Sequence, residues 1–472
     1  MQRLYSKNVL GASGRFSSAL FFFGVLLALF LLDCRPAAAL PAFARKYGMP
    51  CSSCHEAWPK LSPFGQQFKD NGYQMGNERD APIYQSPAYW PVTFRITPQW
   101  HRESTNKVLV DGTGGNNSAE AQVTTHGFDW SGLDFHTAGT LAKNISFYVL
   151  PSSDNTGAFH FESVWARLDN IGGSSWLNIK LGKFELDNLL SEKRIVTLSS
   201  VGGSYRNYHF QPFYRPGAQE SSYTFGLGDN QVGLEYMGHS RDDRWRVSAS
   251  LLSASDGQPN LPTSRGYDGF FAASRAFELG SFGLQRVGGF AYIGEAPTYP
   301  EFTSGGSGIA GTGIGNKGFQ RYGLIGMWYL KKFDITTIYF HGSDSAWLAS
   351  GTPATPGNTL PVGAKSPSWN GGLFESHYML NPQLIFINRY ELIRMSQQAF
   401  VGDGTAANPA NPSNLGNTDT LTFGMRYYPF ISSRAGFAYH AEYAISRIRG
   451  ASPVTNTDLT SSSLLFGFDF AF

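Results

Sequence analysis

The residues with the most specific chemistry in this chain form the run Cys51-Ser52-Ser53-Cys54-His55. This is the C-x-x-C-H pattern through which a c-type haem is attached to a protein. Two thiols three positions apart can reach the two vinyl groups of one haem, and the adjacent histidine can give the proximal nitrogen to its iron. The pattern therefore predicts one covalently bound haem c, attached at Cys51 and Cys54, with His55 as a metal ligand.

Other interpretations of this cysteine pair fit the sequence less well. A thioredoxin-like redox pair would need a surrounding βαβ pattern, and the segment has none. A structural zinc site needs four ligands, and only one histidine is nearby. A short disulfide stays open as an alternative, because an exported protein folds in an oxidising compartment.

The haem iron has a sixth position, and Met75 is the predicted distal ligand. It follows His55 by 20 residues, after a helix-compatible stretch from Pro63 to Asn71. A distal methionine raises the reduction potential relative to a second histidine. The alternative for Met75 is an ordinary packing role. Met49 is too close to the attachment site to fold back over the opposite face of the haem. If the haem lies against or within the rest of the protein, three more candidates come into reach: His101, His126 and His136.

The segment around this motif, from Leu40 to about Asp80, is predicted to fold round the haem. A chain of about 40 residues rarely folds without a metal, disulfides or a partner. We expect the haem to serve as the core of the segment, with these side chains packed against it: Phe43, Trp58, Leu61, Phe64, Phe68 and Tyr73.

Residues 1–39 are predicted to be a signal peptide. Three basic residues give it a positive start: Arg3, Lys7 and Arg15. An unbroken apolar run of 14 residues follows at 19–32, which is too short to cross a membrane as a helix. Cleavage is expected after Ala39, with Ala44 as a second candidate. The protein is therefore expected to be exported.

The mature chain is expected to be nearly neutral. Removing residues 1–39 takes four of the 37 basic and one of the 35 acidic residues, which leaves 33 against 34, or a net charge of −1. Such a balance gives no electrostatic footprint for nucleic acid, and no nucleic-acid partner is predicted.

The composition of the whole chain favours many strands joined by turns. Glycine accounts for 54 of 472 residues, and aromatic residues reach 15%. Charged residues also make up 15%, well under the usual 25% or so. The mean hydropathy of −0.23 is low for a bundle of membrane helices, but a β-barrel alternates polar and apolar residues and averages this signal away.

About sixteen runs with period-2 alternation follow the N-terminal segment. They begin near residues 92, 126, 145, 159, 176, 229, 244, 267, 283, 318, 333, 370, 383, 419, 433 and 460. Short links are predicted at 142–144, 172–175, 240–243, 279–282, 331–332, 381–382 and 431–433. Long links are predicted at 104–125, 186–228, 295–317, 344–369 and 397–418. Strict alternation of short periplasmic turns and long external loops is typical of outer-membrane barrels.

The predicted strands have one apolar and one polar face. From Phe437 to Ser446, large apolar residues alternate with small or polar ones. The last strand ends on an aromatic residue, Phe472, which resembles the recognition signal of bacterial outer-membrane proteins. We expect lipid on the apolar face and a hydrated lumen wall on the polar face, whose members include Arg167, Lys180, Arg389, Glu391, His440 and Glu442.

The sequence as a whole predicts an all-β fold. Residues 92–472 are expected to form an antiparallel, porin-like outer-membrane β-barrel of about 16 strands. A short α-helical c-type cytochrome segment at 40–80 and a linker at 81–91 precede it. An even number of strands puts both ends of the barrel on the periplasmic side.

The N-terminal segment also resembles the haem domain of a known family. The matching residues are Ala42-Phe43-Ala44-Arg45, Gly48-Met49-Pro50 before the cysteine pair, and Pro63-Phe64-Gly65 with Phe68-Lys69-Asp70-Asn71-Gly72-Tyr73 after it. The family is that of the fused monohaem cytochrome–porins, the outer-membrane iron oxidases of iron-oxidising bacteria and their relatives. The resemblance implies haem attachment at Cys51 and Cys54 and proximal ligation at His55. It gives no distal ligand.

The resemblance further implies electron transfer through the outer membrane of a Gram-negative bacterium. The implied donor is extracellular Fe(II), the implied acceptor is a periplasmic c-type cytochrome, and outer-membrane lipid surrounds the barrel. This would be an iron:cytochrome c oxidoreductase activity. One alternative is a conduit with a non-iron donor or acceptor. Another is a diffusion porin with an accessory haem segment, which the motif disfavours because a porin needs no redox centre.

Overall fold

A computed structural model describes thirteen stretches of the chain: residues 42–57, 60–75, 92–111, 118–153, 157–186, 230–253, 267–297, 316–346, 366, 368–395, 417–431, 435–449 and 458–471. Several predicted features lie outside these residues. They are the signal peptide at 1–39, Trp58, the linker at 81–91, most of the predicted long links and the terminal Phe472.

The N-terminal segment consists of two helices with a short turn and two short strands between them. These are α1 (Ala42–Tyr47), a 3-10 turn (Cys51–Ser53), β1 (His55–Ala57), β2 (Lys60–Leu61) and α2 (Pro63–Asp70). Ser62 caps α2, since its side chain accepts a hydrogen bond from the backbone N–H of Gly65 at 3.1 Å. The predicted helix from Pro63 to Asn71 is thus confirmed to within one residue. No helix among the described residues is long and apolar enough to cross a membrane.

Sixteen antiparallel strands within the described residues close into one barrel, which confirms the predicted fold class. They are β3 (Val92–Asp111), β4 (Ser118–Ala142), β5 (Ile145–Ser153), β6 (Phe159–Leu168), β7 (Asn178–Glu185), β8 (Asn230–His239), β9 (Trp245–Ser253), β10 (Tyr267–Glu278), β11 (Leu284–Pro297), β12 (Asn316–Leu330), β13 (Phe333–Asp344), β14 (Ser368–Asn381), β15 (Leu384–Met395), β16 (Asn417–Ile431), β17 (Gly436–Arg449) and β18 (Leu459–Ala471). Each strand pairs with its neighbours in chain order, and β18 closes the barrel against β3, with Phe466 opposite Trp100.

The outer surface of the barrel is apolar. In β17 the outward-facing Tyr443 and Ile445 are exposed, whereas the intervening Ala444 and Ser446 are buried. Large exposed apolar residues on other strands include Phe161, Leu181, Leu234, Leu251, Phe271, Leu324, Phe374, Phe423 and Phe466. Exposed aromatic residues also stand near both barrel ends, as expected for the two membrane–water interfaces. The chain is therefore an outer-membrane β-barrel protein, and this is the surface that we expect to face lipid.

The two ends of the barrel differ in the length of their links. At one end the strands are joined by 143–144, 169–177, 240–244, 279–283, 331–332, 382–383 and 432–435. At the other end most links are longer, as at 186–229, 298–315, 345–367 and 396–416. This confirms the predicted alternation and makes the short-turn end the periplasmic one. Both ends of the barrel sequence, Val92 and Ala471, lie there.

One predicted loop was wrong. Residues 104–125 were expected to form a long link, but β3 continues to Asp111 and β4 begins at Ser118 instead of near residue 126. Beyond the barrel wall the two strands pair with each other, for example Val110 with Ala119. Because neither face of this ribbon packs against a core, its sequence lacks the apolar–polar alternation that marks the other strands.

The expectation of a hydrated lumen wall was also wrong. The six predicted lumen residues do face inward, but all are buried and take part in charge contacts, such as Arg389 Nε with Glu375 at 2.6 Å and Lys180 with Glu235. The lumen also holds a continuous core of buried apolar side chains, which joins Phe68 and Tyr73 of the N-terminal segment to these barrel residues: Tyr148, Trp165, Phe184, Phe270, Phe290, Phe340 and Trp369. The described part of the lumen is therefore packed, and the N-terminal segment contributes Phe68 and Tyr73 to this packing.

Candidate cofactor site

The N-terminal segment is fixed to the barrel wall at the end of α2. The Arg167 side chain, on β6, donates to the backbone carbonyls of Lys69 at 2.8 Å and Asp70 at 3.4 Å. The last carbonyls of a helix have no partner within it, and they carry partial negative charge that a cation stabilises. The Asp70 carboxylate lies 3.0 Å from the Arg246 guanidinium, and Arg167 is held by Asp169 at 2.5 Å. We call Asp70, Arg167, Asp169 and Arg246 the docking network.

Two residues just after α2 complete this contact. The Tyr73 ring stacks on the Trp165 ring with 6.1 Å between their centres. Gly72 has a φ of +79°, and a Cβ placed on it would come within 3.0 Å of the Asp169 carboxylate. A larger residue at 72 would therefore be strained and would push Asp169 away from Arg167.

The segment also borders an apolar cavity of about 220 Å³. Aromatic residues of the segment surround it, and Phe43 contacts both Phe68 and Tyr73 with 5.0 Å between ring centres. The barrel wall closes it with Thr93, Arg95, His136, Ala138, Tyr148 and Ala471. Since β3 and β5 begin, and β4 and β18 end, at the short-turn end, the cavity lies in the periplasmic part of the lumen.

The predicted site residues converge on this cavity. Cys54, His55 and Met75 all line it, and so does Met49, which its position in the sequence had excluded as a ligand. Cys51 begins the 3-10 turn that leads into Cys54, and its side chain lies outside the described part of the chain. Of the predicted packing residues, five line the cavity: Phe43, Leu61, Phe64, Phe68 and Tyr73.

Only one of the three remote histidines reaches the cavity. His136 lines it, and its Nδ1 lies 2.8 Å from the hydroxyl of Tyr148. His101 pairs instead with Asp129, at 3.3 Å, further along the β3–β4 ribbon. His126 lies opposite Arg102 in the same part of the ribbon.

Glycine at position 65 lets α2 approach the cysteine turn closely. A Cβ placed on Gly65 would lie 2.0 Å from the backbone oxygen of Cys54, which no larger residue could tolerate without moving the helix. The Ser62 backbone N–H donates to the same Cys54 oxygen at 2.9 Å. The Ser62–Gly65 turn therefore sets where Cys54 and His55 stand relative to α2.

Apart from His136, sequence reasoning missed the barrel residues of the site. Thr93 and Arg95 belong to the inward-facing set of β3, together with Thr97 and Gln99. The alternation of polar and apolar residues predicted which side of β3 faces inward. It did not indicate that the first inward-facing residues of the strand lie beside the cysteine motif. The only sequence feature that pointed to a site here was a charged residue, Arg95, close to the start of the strand.

Comparisons with known proteins give a likeness of architecture. No family model matches the chain, and no curated protein sequence matches it either. Among solved structures, it is similar to the outer membrane channel DcaP of Acinetobacter baumannii, with 9% identity, a TM-score of 0.46, and 83% of this chain and 100% of that chain covered. It is also similar to a loop-deletion mutant of OmpT of Vibrio cholerae, with 11% identity, a TM-score of 0.43, and 80% of this chain and 99% of that chain covered. A third similar structure is OmpF of Salmonella typhi, with 9% identity, a TM-score of 0.43, and 83% of this chain and 99% of that chain covered. Function therefore rests on the residues of this chain.

The residues around the cavity fit a c-type haem in their chemistry. A thiol, the imidazoles of His55 and His136 and two thioether sulfurs border one largely apolar space, and aromatic rings supply much of its remaining lining. Ligand pockets usually measure roughly 300–1,000 Å³, so the 220 Å³ present here has to widen. The aromatic side chains between the segment and the wall would have to part around a flat macrocycle.

Burial raises the pKa of the Cys54 thiol above its usual value. Because the thiolate is the reactive form, the folded, haem-free protein should be alkylated at Cys54 more slowly than the unfolded protein near neutral pH. The difference should be roughly tenfold for each unit by which the pKa is raised, and it should vanish at high pH. Iodoacetamide labelling of a Cys51→Ala protein, with and without urea, measures it for a single thiol. Equal rates in both states across the pH range would contradict the burial of Cys54.

Proposed function

We propose that this protein carries one haem c in the cavity, attached through Cys51 and Cys54, with His55 as proximal and Met75 as distal ligand. We further propose that it transfers electrons across the outer membrane. The observation that carries the proposal is the meeting of Cys54, His55 and Met75 around one apolar cavity inside the barrel.

Each part of the site has a role in this proposal. Cys51 and Cys54 would tether the cofactor, and the turn fixed by Ser62 and Gly65 would hold His55 at the cavity. The aromatic residues would keep water away, and such burial is one of the means by which proteins set a haem potential. When bound, haem supplies a one-electron couple between ferric and ferrous iron.

The position of the cavity supports a periplasmic c-type cytochrome as the electron acceptor, because the cavity lies at the periplasmic end of the lumen. We propose extracellular Fe(II) as the donor: each Fe(II) gives up one electron and becomes Fe(III). Ferric products are insoluble, so oxidation at the outer face keeps them out of the cell. The electron would then have to travel from the outer face to the haem in the periplasmic part of the lumen. The packed lumen argues against an open diffusion porin.

Absorption spectra of the purified protein, kept free of oxygen, test this function. We expect covalent haem in the oxidised protein and a reduced spectrum on addition of Fe(II). If dithionite reduces the haem but Fe(II) does not, the iron donor is wrong while the electron-transfer role stands. If the protein has no covalent haem when expressed with haem-attachment enzymes, the whole proposal fails.

The distal ligand has its own test. Met75→Ala should remove the methionine–iron charge-transfer band and lower the reduction potential by on the order of 0.1 V, a part of the roughly 0.8 V over which axial ligands act. Met49→Ala is the matched control, since Met49 lines the same cavity. If Met75→Ala leaves spectrum and potential unchanged, Met75 is a packing residue. A change in Met49→Ala or His136→Ala would then identify the ligand.

A further inference from the structure

The barrel side of the cavity carries one marked polar feature. Apart from Lys69, whose ammonium lies 3.7 Å from Glu185, Arg95 is the only side chain among the described lining residues that is always charged. Close to it on the same wall stand Tyr148 and His136, joined at 2.8 Å. Most of the remaining lining is apolar. The barrel wall therefore places a cation and hydrogen-bonding groups beside an otherwise apolar cavity.

The Arg95 side chain is held in position by ion pairs with two aspartates. Its Nη2 lies 3.1 Å from Asp469 of β18, and its Nη1 lies 3.4 Å from Asp134 of β4. The Asp469 carboxylate is shared, because Arg426 also contacts it at 2.5 Å. The contact to Asp134 is well beyond the roughly 2.7–2.9 Å of a strong charge-assisted hydrogen bond, so a competing anion would displace it most easily.

A haem brings two carboxylate groups into any site that holds it. A carboxylate that enters an apolar cavity without a cation pays a large desolvation cost, and a guanidinium removes much of that cost because its planar fork matches a carboxylate. We propose that Arg95 of the barrel wall binds a haem carboxylate and so fastens the cofactor of the N-terminal segment to the barrel. This inference rests on the proposed function.

Two consequences follow from such a contact. The haem would be held on one side by the segment, through its cysteines and His55, and on the other by β3, so that the cofactor itself would strengthen docking. A positive charge near the iron also disfavours the ferric state, which carries one more positive charge than the ferrous state. Arg95 would thus raise the reduction potential.

The test compares Arg95→Gln with Arg102→Gln in the full-length, haem-loaded protein. Arg102 is on the same strand, is exposed and does not line the cavity. Resonance Raman spectroscopy reports hydrogen bonding to the haem carboxylates through their bending band, and redox titration reports the potential. We expect Arg95→Gln to shift the band and lower the potential, and Arg102→Gln to do neither. Arg95→Lys, which keeps the charge but not the fork, should keep most of the potential and still shift the band.

Several outcomes would overturn the inference. If Arg95→Gln carries normal covalent haem but its carboxylate band matches the wild type, Arg95 does not bind the haem. The same holds if the potential falls without a change in that band, because lost pairing with Asp469 would explain a fall of that kind. If Arg95→Gln does not fold, the Arg95→Lys spectrum decides alone. A wild-type protein without haem would instead contradict the proposed function.

Discussion

Replacing both Cys51 and Cys54 with alanine is expected to abolish covalent haem while the barrel still assembles. The two thiols are the only attachment points in the mature sequence, since the third cysteine, Cys34, lies in the predicted signal peptide. Haem-stained denaturing gels should show a signal for the wild type and none for the double variant. The barrel strands are stabilised by their own pairing and by the lipid-facing surface, so heat-modifiable mobility on gels should be retained.

Ser52→Ala combined with Ser53→Ala is the matched control for this variant. It changes two residues in the same turn, removes two small polar groups and leaves both thiols in place. We expect wild-type haem staining from it. Haem that survives denaturation in the Cys51→Ala, Cys54→Ala protein would show that attachment occurs elsewhere, and a haem-free wild type with a Cys51–Cys54 disulfide would support the alternative interpretation of the pair.

Replacing Arg167 with leucine is expected to release the N-terminal segment from the barrel. The side chain is about 1% exposed and joins β6 to the last carbonyls of α2 and to Asp169. Removing it leaves a buried carboxylate and helix carbonyls without their cation, and breaking a buried ion pair in this way costs about 3–5 kcal/mol. A loss of that size shifts the docking equilibrium by two to four powers of ten, at about 1.4 kcal/mol for each factor of ten.

Two measurements report this release. Limited proteolysis should cut the N-terminal segment of Arg167→Leu much faster than that of the wild type, and planar-bilayer recordings should show a larger conductance once the segment leaves the lumen. Arg244→Leu is the control, because Arg244 is half exposed in a periplasmic turn and its ion-pair partners among the described residues are Asp242 and Glu278. Exposed pairs of this kind contribute little, about 0–1 kcal/mol. Equal protection of the segment in Arg167→Leu and the wild type would contradict the docking network.

Most of the barrel could be predicted from the sequence because its signal is local. Lipid on one side and a packed interior on the other impose alternation on each strand, and short turns mark every second link. Fifteen of the sixteen strands accordingly begin within about three residues of the predicted positions. The exception, β4, runs into a ribbon that has water on both faces, where alternation is lost.

The haem motif was predictable for the same reason, since Cys51, Cys54 and His55 are adjacent in the sequence. The barrel half of the site was not. Arg167 meets Lys69 across 98 positions, and Arg95 meets Asp469 across 374. Period-2 alternation tells which side of a strand faces inward, but it carries no information about which distant residue will be met there. The sequence offered His136 as one of three candidate histidine ligands, and only the three-dimensional arrangement shows which of them reaches the cavity.

Thr93 and Ala471, near the first and last positions of the barrel, both line the cavity. Their strands β3 and β18 are the pair that closes the barrel, so the wall of the cavity is complete only when this pair has formed. From then on the barrel wall stands beside the cavity that Cys54 lines. On the proposed function, we therefore expect the enzymes that attach haem to act while the chain is still in the periplasm. Insertion into the membrane would end the period during which the cofactor can be added.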